Sequence, residues 1–215
     1  MKAPEVTVID YGVGNLLSVR RSLEHCGAKV QVTSDPKLIL AAPRVVLPGV
    51  GAFKDGMGEL NRIGLSSIVH EVASSDVPIL GICLGMQMLF DESEEFGTTP
   101  GLGLIPGKVI PIPKSTTSGH QQKIPHIGWS ELVFPSGRSS WDGTLLHNIE
   151  LEEAVYFVHS YMASPSMPEH RIADCNYGGT AVAAVVARNN VFGCQFHPEK
   201  SGEVGLRVLR TFLGL

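Results

Sequence analysis

The first ninety residues of the chain alternate between short apolar runs and stretches with helical spacing, and this alternation limits the possible folds more than any other feature. The apolar runs at 6–9, 44–47 and 77–80 have the length and composition of buried strands, and a further strand pattern at 29–33 alternates Val30 and Val32 with polar residues. Helical spacing separates them, beginning after Asn15, a good N-cap residue. Strands that alternate with helices are joined by crossovers and lie parallel, so the pattern predicts an α/β fold with a doubly wound, mostly parallel central sheet flanked by helices.

The rest of the chain predicts additions to this unit. Residues 91–150 are rich in Gly, Pro and Ser around short apolar pieces, which is typical of an added antiparallel hairpin region. Strand patterns at 155–158, 181–187 and 191–196 follow, the last two joined by an Arg-Asn-Asn turn, and an apolar stripe near the C-terminus predicts a final helix. Because no repeat and no linker divides the chain, we expect one domain over residues 1–215.

Composition and charge exclude several classes of partner. A net charge of −4 and a pI near 6.0 argue against nucleic acid or an anionic membrane surface as the main partner. No apolar run approaches the ~20 residues of a membrane-spanning helix, and the N-terminus lacks the apolar core of a signal peptide, so we expect a cytoplasmic protein. The four cysteines lack C-x-x-C pairing and, like the histidines, show no metal-ligand spacing. We therefore expect reduced thiols, no metal and no cofactor.

The strand pattern at 77–80 continues into a Gly-x-Cys-x-Gly motif centred on Cys83, with Gly81 and Gly85 on either side, and helical spacing then extends as far as Phe90. A strand, a sharp turn that carries one reactive side chain and a helix together form a nucleophile elbow. Glycines let the strand and the helix approach closely, and the N-terminus of the helix favours the thiolate form of the cysteine. The alternative interpretation is a buried structural cysteine in a closely packed strand–helix junction.

A cysteine nucleophile needs a base, and the base needs an orienting group. Among eight histidines, His197 has the best setting, because it closes a strand pattern and precedes Pro198, which favours an extended backbone. In an extended segment residues i and i+2 point to the same side, so Glu199 can accept from one imidazole nitrogen and leave the other for the thiol. The alternative is a strand end followed by the acidic start of a helix.

An oxyanion that forms during acyl transfer needs backbone donors near the nucleophile. Gly49, Val50 and Gly51 follow the third predicted strand, at the carboxyl edge where the reactive groups of such sheets lie. Their N–H groups, together with the N–H of Leu84 after the nucleophile, are the candidate donors. A plain Pro-Gly turn is the alternative interpretation of the loop.

Together, the segments G-I-C-L-G-M-Q at 81–87 and Q-F-H-P-E at 195–199 resemble those of the class I (triad) glutamine amidotransferases, and the resemblance runs nearly end to end. It implies a glutaminase in which Cys83 attacks the side-chain amide of glutamine and forms a γ-glutamyl thioester. It also implies that His197 is the acid and base of this reaction and that Glu199 orients it.

The resemblance further implies how glutamine is held and how the activity is controlled. It places Gln87 and the backbone around Ser160 and Tyr161 against the amino-acid head of the substrate. In this family a peptide flip in the loop at 48–51 completes the oxyanion hole when the partner binds its ligand, and the two glycines of the loop make such a flip easy. We therefore expect the isolated subunit to be nearly idle.

Four further segments resemble one branch of the family, whose glutaminase forms a heterodimer with a (β/α)8-barrel cyclase subunit in histidine biosynthesis. These segments are D-Y-G-V-G-N (10–15), L-P-G-V-G-A-F (47–53), P-H-I-G-W (125–129) and H-P-E-K-S (197–201). In that branch ammonia passes through the barrel, and the products are imidazole glycerol phosphate and an aminoimidazole carboxamide ribotide. The matching positions imply four interface residues: Asn15, Trp129, Tyr156 and Lys200. Ser130 departs from the pattern, where Asn is expected, and this departure concerns partner contact more than chemistry.

Two other functions remain open. One is a glutaminase that feeds another synthase, such as the pyridoxal phosphate synthase. The other is a doubly wound cysteine hydrolase without ammonia channelling, although Gln87 and the His-Pro-Glu run count against it. The alternative to an interface role for Trp129 is an ordinary position in the hydrophobic core. The residues that we interpret as structural are His159, Trp141, Cys26, Cys175 and Cys194.

Overall fold

The computed structural model describes residues 3–215, and this range contains thirteen strands and six α-helices. The strands are β1 (Glu5–Ile9), β2 (Lys29–Thr33), β3 (Val45–Gly49), β4 (Ile79–Cys83), β5 (Phe90–Ser93), β6 (Thr99–Pro100), β7 (Ile105–Pro111), β8 (His126–Glu131), β9 (Ala154–His159), β10 (Tyr161–Pro165), β11 (Arg171–Tyr177), β12 (Thr180–Arg188) and β13 (Val191–Cys194). The helices are α1 (Leu16–His25), α2 (Pro36–Leu40), α3 (Phe53–Arg62), α4 (Leu65–Ser74), α5 (Leu84–Met88) and α6 (Gly202–Leu213). Within the described range, no helix has the length and apolar character needed to cross a membrane.

Seven strands form the central sheet in the order β11-β12-β13-β4-β3-β1-β2. The five strands from β13 to β2 are parallel to one another, whereas β12 and β11 extend one edge in antiparallel fashion. The predicted doubly wound, mostly parallel sheet is therefore confirmed. Because β1, β3, β4 and β13 run in the same direction, the segments that follow them meet at one edge of the sheet.

β1, β3 and β4 are buried on both faces, which explains why their sequences are continuous apolar runs, whereas β2 at the edge of the sheet is partly exposed. In β1, Val6 and Val8 pack into a core shared with α1 and α6, while Ile9 joins the opposite core, which is formed with α2 to α5. In β3, Val46 belongs to the first core and Leu47 to the second. The period-two geometry of a strand thus divides each run between two helical layers.

Local signals set several element boundaries as predicted. The side chain of Asn15 accepts a hydrogen bond from the Ser18 backbone N–H at 3.4 Å and caps α1. Gly64, with a φ of +74°, separates α3 from α4. The turn at Asn189 and Asn190 joins β12 to β13 as an antiparallel hairpin.

The predicted helix after the nucleophile is too long by two residues, because α5 ends at Met88 and Phe90 begins β5. The reason is competition for the last carbonyl groups of the helix. The backbone N–H of Leu102 donates to the Met88 carbonyl at 2.8 Å, and that of Leu104 donates to the Leu89 carbonyl at 2.8 Å. These bonds come from a distant segment, so helical periodicity continues in the sequence beyond the point where the helix ends.

The region at 91–150 is only partly antiparallel. A four-stranded sheet has the order β10-β7-β5-β6, in which β5 and β7 are parallel and the other pairs are antiparallel. β8 and β9 form a separate antiparallel pair. Neither β10 nor β11 was predicted from the sequence, and β10 follows β9 directly beside the candidate site.

Candidate active site

Cys83 is the last residue of β4 and the N-cap of α5, so the chain turns from strand to helix at this residue. Its backbone has a φ of 54° and a ψ of −109°, which a non-glycine residue adopts only when the surrounding structure imposes it. The residue is 7 % exposed. This geometry is the strained strand–turn–helix junction of a nucleophile elbow, as the motif predicts.

Close packing at this junction requires glycine on both sides of Cys83. A Cβ atom at Gly85 would overlap the Leu47 carbonyl oxygen of β3, and a Cβ atom at Gly81 would lie 2.7 Å from the Gly85 carbonyl oxygen. Tight strand–helix packing and the position of Cys83 on the cavity wall are therefore two consequences of the same turn. A closely packed junction is thus compatible with a nucleophile at this position.

His197 and Glu199 form a buried pair in the segment that follows β13. His197 is extended as predicted, but Glu199 is not, because it lies in a short 3-10 helix over Pro198–Lys200. The imidazole Nδ1 lies 2.8 Å from Glu199 Oε1, and the two side chains are 3 % and 1 % exposed. Because a carboxylate accepts, Nδ1 is the donor, which leaves Nε2 free to act on another group. Nε2 is buried and has no hydrogen-bond partner among the described residues. The His197 backbone N–H also donates to the Tyr156 carbonyl at 3.0 Å, which fixes the segment against β9.

Neighbouring groups change the pKa of His197. Burial is the largest single influence and opposes a charged imidazole, but interactions with Cys83 and then Glu199 outweigh it and raise the pKa from 6.5 to about 9. The imidazole is therefore cationic at neutral pH. A cationic imidazole beside a cysteine is the arrangement that stabilises a thiolate nucleophile.

Cys83 and His197 open onto one cavity of about 270 Å³. The candidate site residues that line it are Val50, Gly51, Cys83, Leu84, Gln87, Ser160, Tyr161 and His197. Glu199 lies behind His197, and Gly49 ends β3 against Leu84. These predicted residues come from four separate parts of the chain, and Glu95 and Pro125 add two more to the cavity wall.

Two buried amides connect the cavity wall to the nucleophile. Gln87 Nε2 donates to the Tyr161 carbonyl and to Gln195 Oε1, both at 3.0 Å. Gln195 is fully buried, and its Nε2 lies 3.8 Å from Cys83 Sγ. No role for Gln195 was predicted from the sequence. Gln195 lies in a bend after the end of β13, so tertiary structure and not a strand pattern brings its amide to the thiol.

Glu95 is a second residue of the cavity wall that was not predicted from the sequence. It lies in the turn after β5, and its Oε2 accepts a hydrogen bond from the Phe53 backbone N–H at 2.6 Å, the first residue of α3. A carboxylate at the N-terminus of a helix is favourably placed. No local motif surrounds Glu95 in the sequence, so only the tertiary structure identifies it.

Tyr11 fixes the strand end that carries the candidate oxyanion loop. Its hydroxyl donates to the Pro48 carbonyl at 2.8 Å, and the side chain is 2 % exposed. A Cβ atom at Gly49 would lie 2.7 Å from that hydroxyl and 2.9 Å from the Gly85 backbone nitrogen. Burial raises the pKa of Tyr11, so the hydroxyl keeps its proton and remains a donor.

The candidate interface residues follow the carboxyl edge of the sheet. Trp129 on β8 is 58 % exposed, so its interpretation as a core residue is wrong. Its ring centroid lies 6.0 Å from that of Tyr156, the residue opposite it on β9, in an edge-to-face arrangement. Lys200 is exposed beside His197, and Asn15 follows β1 at the same edge. Trp141, in contrast, is 4 % exposed and donates to the Ile172 carbonyl at 2.8 Å.

A doubly wound sheet with a strained cysteine elbow and a buried His–Glu pair at its carboxyl edge defines the class of triad glutamine amidotransferases. The chain belongs to this family, since the family model described as glutamine amidotransferase class-I matches residues 7–214.

Two relatives match the chain over nearly their full length. The chain is 52 % identical over 208 residues to the imidazole glycerol phosphate synthase subunit HisH 1 of Legionella pneumophila (strain Lens), covering 97 % of this chain and 98 % of the relative. It is 47 % identical over 212 residues to the imidazole glycerol phosphate synthase subunit HisH of Geobacillus sp. (strain WCH70), covering 98 % and 96 %.

Solved structures share the fold at low sequence identity. The structure of PurLQS from Thermotoga maritima superposes with a TM-score of 0.74 at 19 % identity, covering 99 % of both chains. The crystal structure of a glutamine amidotransferase from Thermotoga maritima gives a TM-score of 0.61 at 17 % identity, covering 95 % of this chain and 80 % of that one. At this identity the similarity establishes the fold alone.

Proposed function

We propose that this chain is the glutaminase subunit of an imidazole glycerol phosphate synthase, a single glutamine amidotransferase domain over residues 1–215 that acts in the cytoplasm. The observation that carries the proposal is the shared cavity of Cys83 and His197, with Glu199 bonded to the far side of the imidazole. The relatives at 52 % and 47 % identity, which bear that subunit's name over their full length, support the choice of synthase.

In the proposed mechanism, the Cys83 thiolate attacks the side-chain amide carbon of glutamine. His197 Nε2 gives its proton to the departing nitrogen, and ammonia leaves as the γ-glutamyl thioester forms. The neutral imidazole then takes a proton from water, which attacks the thioester, and glutamate leaves as the Cys83 thiolate is restored. Glu199 holds the imidazole in the required tautomer and stabilises its cation in each half of the cycle.

The cavity walls supply the proposed substrate contacts. The backbone N–H groups of the loop at 48–51 and of Leu84 stabilise the oxyanion, while Gln87, Ser160 and Tyr161 bind the amino-acid head of glutamine. Glu95 brings a carboxylate to the same cavity, which suits the substrate's ammonium group. A flip of the 48–51 peptide, controlled by the partner's ligand, would complete the oxyanion hole only in the working complex.

Ammonia is mostly protonated in free solution at neutral pH, so direct delivery protects its nucleophilic form. The proposed partner is a (β/α)8-barrel cyclase subunit, which receives ammonia through its barrel and makes imidazole glycerol phosphate and an aminoimidazole carboxamide ribotide. The exposed aromatic side chain of Trp129 beside Tyr156, together with Asn15 and Lys200, supports a docking surface at this edge.

The test is reconstitution with such a cyclase subunit in the presence of its nucleotide substrate. We expect product from either glutamine or ammonium salt with the wild-type chain, and from ammonium salt alone with Cys83→Ala. Cys26→Ala, a change in a half-buried thiol outside the cavity, is the matched control and should retain glutamine-dependent activity.

Each other result has a defined meaning. Glutamine-dependent product with Cys83→Ala, or none with the wild-type chain and an active cyclase, would overturn the proposal. Glutamine hydrolysis that responds to a pyridoxal phosphate synthase subunit instead would identify the other branch. Hydrolysis of unrelated substrates without any partner would identify a cysteine hydrolase.

A further inference from the structure

Two buried histidines that the mechanism does not use connect the rim of the β8–β9 pair to the cavity wall. His126 and His159 are 2 % and 6 % exposed and lie opposite each other on the two strands. His126 Nδ1 lies 3.1 Å from His159 Nε2. The outer nitrogens are also paired, His126 Nε2 with Ser130 Oγ at 2.9 Å and His159 Nδ1 with the Tyr161 carbonyl oxygen at 2.8 Å.

The chemistry of these partners fixes the direction of every bond. A carbonyl only accepts, so His159 Nδ1 carries a proton and, in a neutral ring, Nε2 accepts. His126 Nδ1 must then donate to it, which leaves His126 Nε2 as an acceptor. The Ser130 hydroxyl therefore donates. The result is a chain of three hydrogen bonds in which each group donates to the next: Ser130 to His126, His126 to His159, and His159 to the Tyr161 carbonyl.

Both rings are neutral and held in place. Burial lowers the pKa of His126 to about 4, and burial, opposed by the bond to Tyr161, lowers that of His159 to about 4. The His126 ring also stacks on Phe157, with centroids 4.9 Å apart, and on Tyr177, with centroids 4.0 Å apart. A ring fixed in this way has little freedom to exchange partners.

We propose that Ser130, His126 and His159 are positioning residues that hold the Tyr161 carbonyl, together with Gln87, and thereby set the geometry of the wall that binds glutamine. His159 lines the cavity, but both of its ring nitrogens are occupied, so it does not act as an acid or base. This inference rests on the proposed function. It also gives Ser130 a role inside the site, whereas the sequence pattern predicted a role for this position in partner contact.

The direction of these hydrogen bonds is tested first. The experiment is nuclear magnetic resonance of the histidine ring nitrogens in the full-length protein with labelled histidine. We expect His126 and His159 to be neutral at neutral pH, each with a proton on Nδ1 and none on Nε2. Single replacements, His126→Gln and His159→Gln, assign the signals. A cationic ring, or a proton on Nε2 of either residue, overturns the proposal whether or not the protein hydrolyses glutamine.

The positioning role is tested with Ser130→Thr and Ser130→Val, two variants whose new side chains have nearly the same shape. The KM for glutamine is measured at a saturating concentration of the cyclase subunit, so that differences in subunit affinity do not affect it. Threonine keeps the hydroxyl donor and should keep the KM for glutamine within about twofold. Valine leaves a buried acceptor unpaired and should raise that KM by roughly five- to tenfold with little change in kcat. Ser130→Asn, which supplies an N–H donor, should restore the wild-type KM.

Equal KM values for the threonine and valine variants would overturn the positioning role, as would a loss confined to kcat. If the wild-type complex hydrolyses no glutamine at all, the proposed function fails. In that case the tautomer measurement still decides whether the hydrogen-bonded chain exists, so the two failures are distinguishable.

Discussion

The imidazole Nδ1 of His197 lies 2.8 Å from Glu199 Oε1, and this bond defines which end of the ring can do chemistry. The carboxylate fixes the proton on Nδ1, and Nε2 is buried without a partner in the described part of the chain. Because His197 lines the same cavity as Cys83, the contact between His197 and Glu199 orients the ring for a reaction that joins two distant parts of the sequence.

Glu199→Gln keeps the shape of this contact but removes its charge. We expect kcat for glutamine hydrolysis to fall by roughly 10² to 10⁴, because the imidazolium loses its counter-ion and the ring tautomer is no longer fixed. Steady-state kinetics of the reconstituted complex measure this change. Glu169→Gln, at an exposed glutamate outside the cavity, is the control and should leave kcat unchanged. Equal rates for the two variants would contradict the orienting role.

Stability should fall as the pH rises, because of His197. In the folded chain its pKa is raised to about 9, whereas an unfolded imidazole titrates near 6.5. The folded state therefore binds more protons between these values, so the stabilising contribution is full below about pH 6.5 and is lost as the pH rises through about 9. Urea unfolding across this range measures the decline.

The Cys83→Ala variant isolates the cause of that decline. Interaction with Cys83 is the first of the influences that raise the pKa of His197, so its removal should lower that pKa and flatten the dependence of stability on pH. Buried groups other than Cys83 and His197 are common to both proteins and cancel in the comparison, so the difference reports this pair alone. Identical slopes for the wild type and the variant would mean that the thiol and the imidazole do not interact.

Gly85→Ala should prevent stable folding, because its Cβ would overlap the Leu47 carbonyl of β3. Gly58→Ala is the matched control. Gly58 is an exposed residue of α3 with open space within 4 Å of where a Cβ would stand, and alanine there should stabilise the helix by about 0.5–1 kcal/mol. Thermal unfolding separates the two. A stable Gly85→Ala protein with full activity would show that the elbow does not need this close approach.

Trp129→Ala should weaken binding of the cyclase subunit while leaving the folded chain as stable as the wild type, because the side chain is 58 % exposed. Calorimetric titration should show a loss of about 2 kcal/mol or more in binding free energy if the residue is an anchor. Met167→Ala, at a residue 45 % exposed in the connection between β10 and β11, is the control. Equal affinities would remove Trp129 from the docking surface.

The central sheet and the elbow could be predicted because their signals are local. A buried parallel strand is a continuous apolar run, and the glycines around Cys83 stand beside the residue whose packing they permit. His197 and Glu199 do form a pair, but the predicted extended backbone ends at His197, because Glu199 lies in a short 3-10 helix over Pro198–Lys200. Gln195 lies in a bend after β13, so no strand rule predicts that its amide approaches the thiol.

The remaining site residues depend on contacts that the sequence does not encode locally. Tyr11 meets Pro48 only because β1 and β3 are neighbours, and Glu95 reaches the cavity from a turn without a motif. His126 and His159 are joined by the register of β8 against β9, which cannot be read from either strand alone. The end of α5 was missed for the same reason, because a distant segment takes its carbonyl groups.

The most direct test of the account is covalent labelling of the complex with a diazoketone analogue of glutamine, followed by peptide mapping. We predict one adduct, on Cys83, that glutamine suppresses by competition. Burial raises the pKa values of Cys26, Cys175 and Cys194, so these thiols should remain unlabelled at neutral pH. An adduct on another cysteine, or none in a complex that hydrolyses glutamine, would contradict the assignment of Cys83 as the nucleophile.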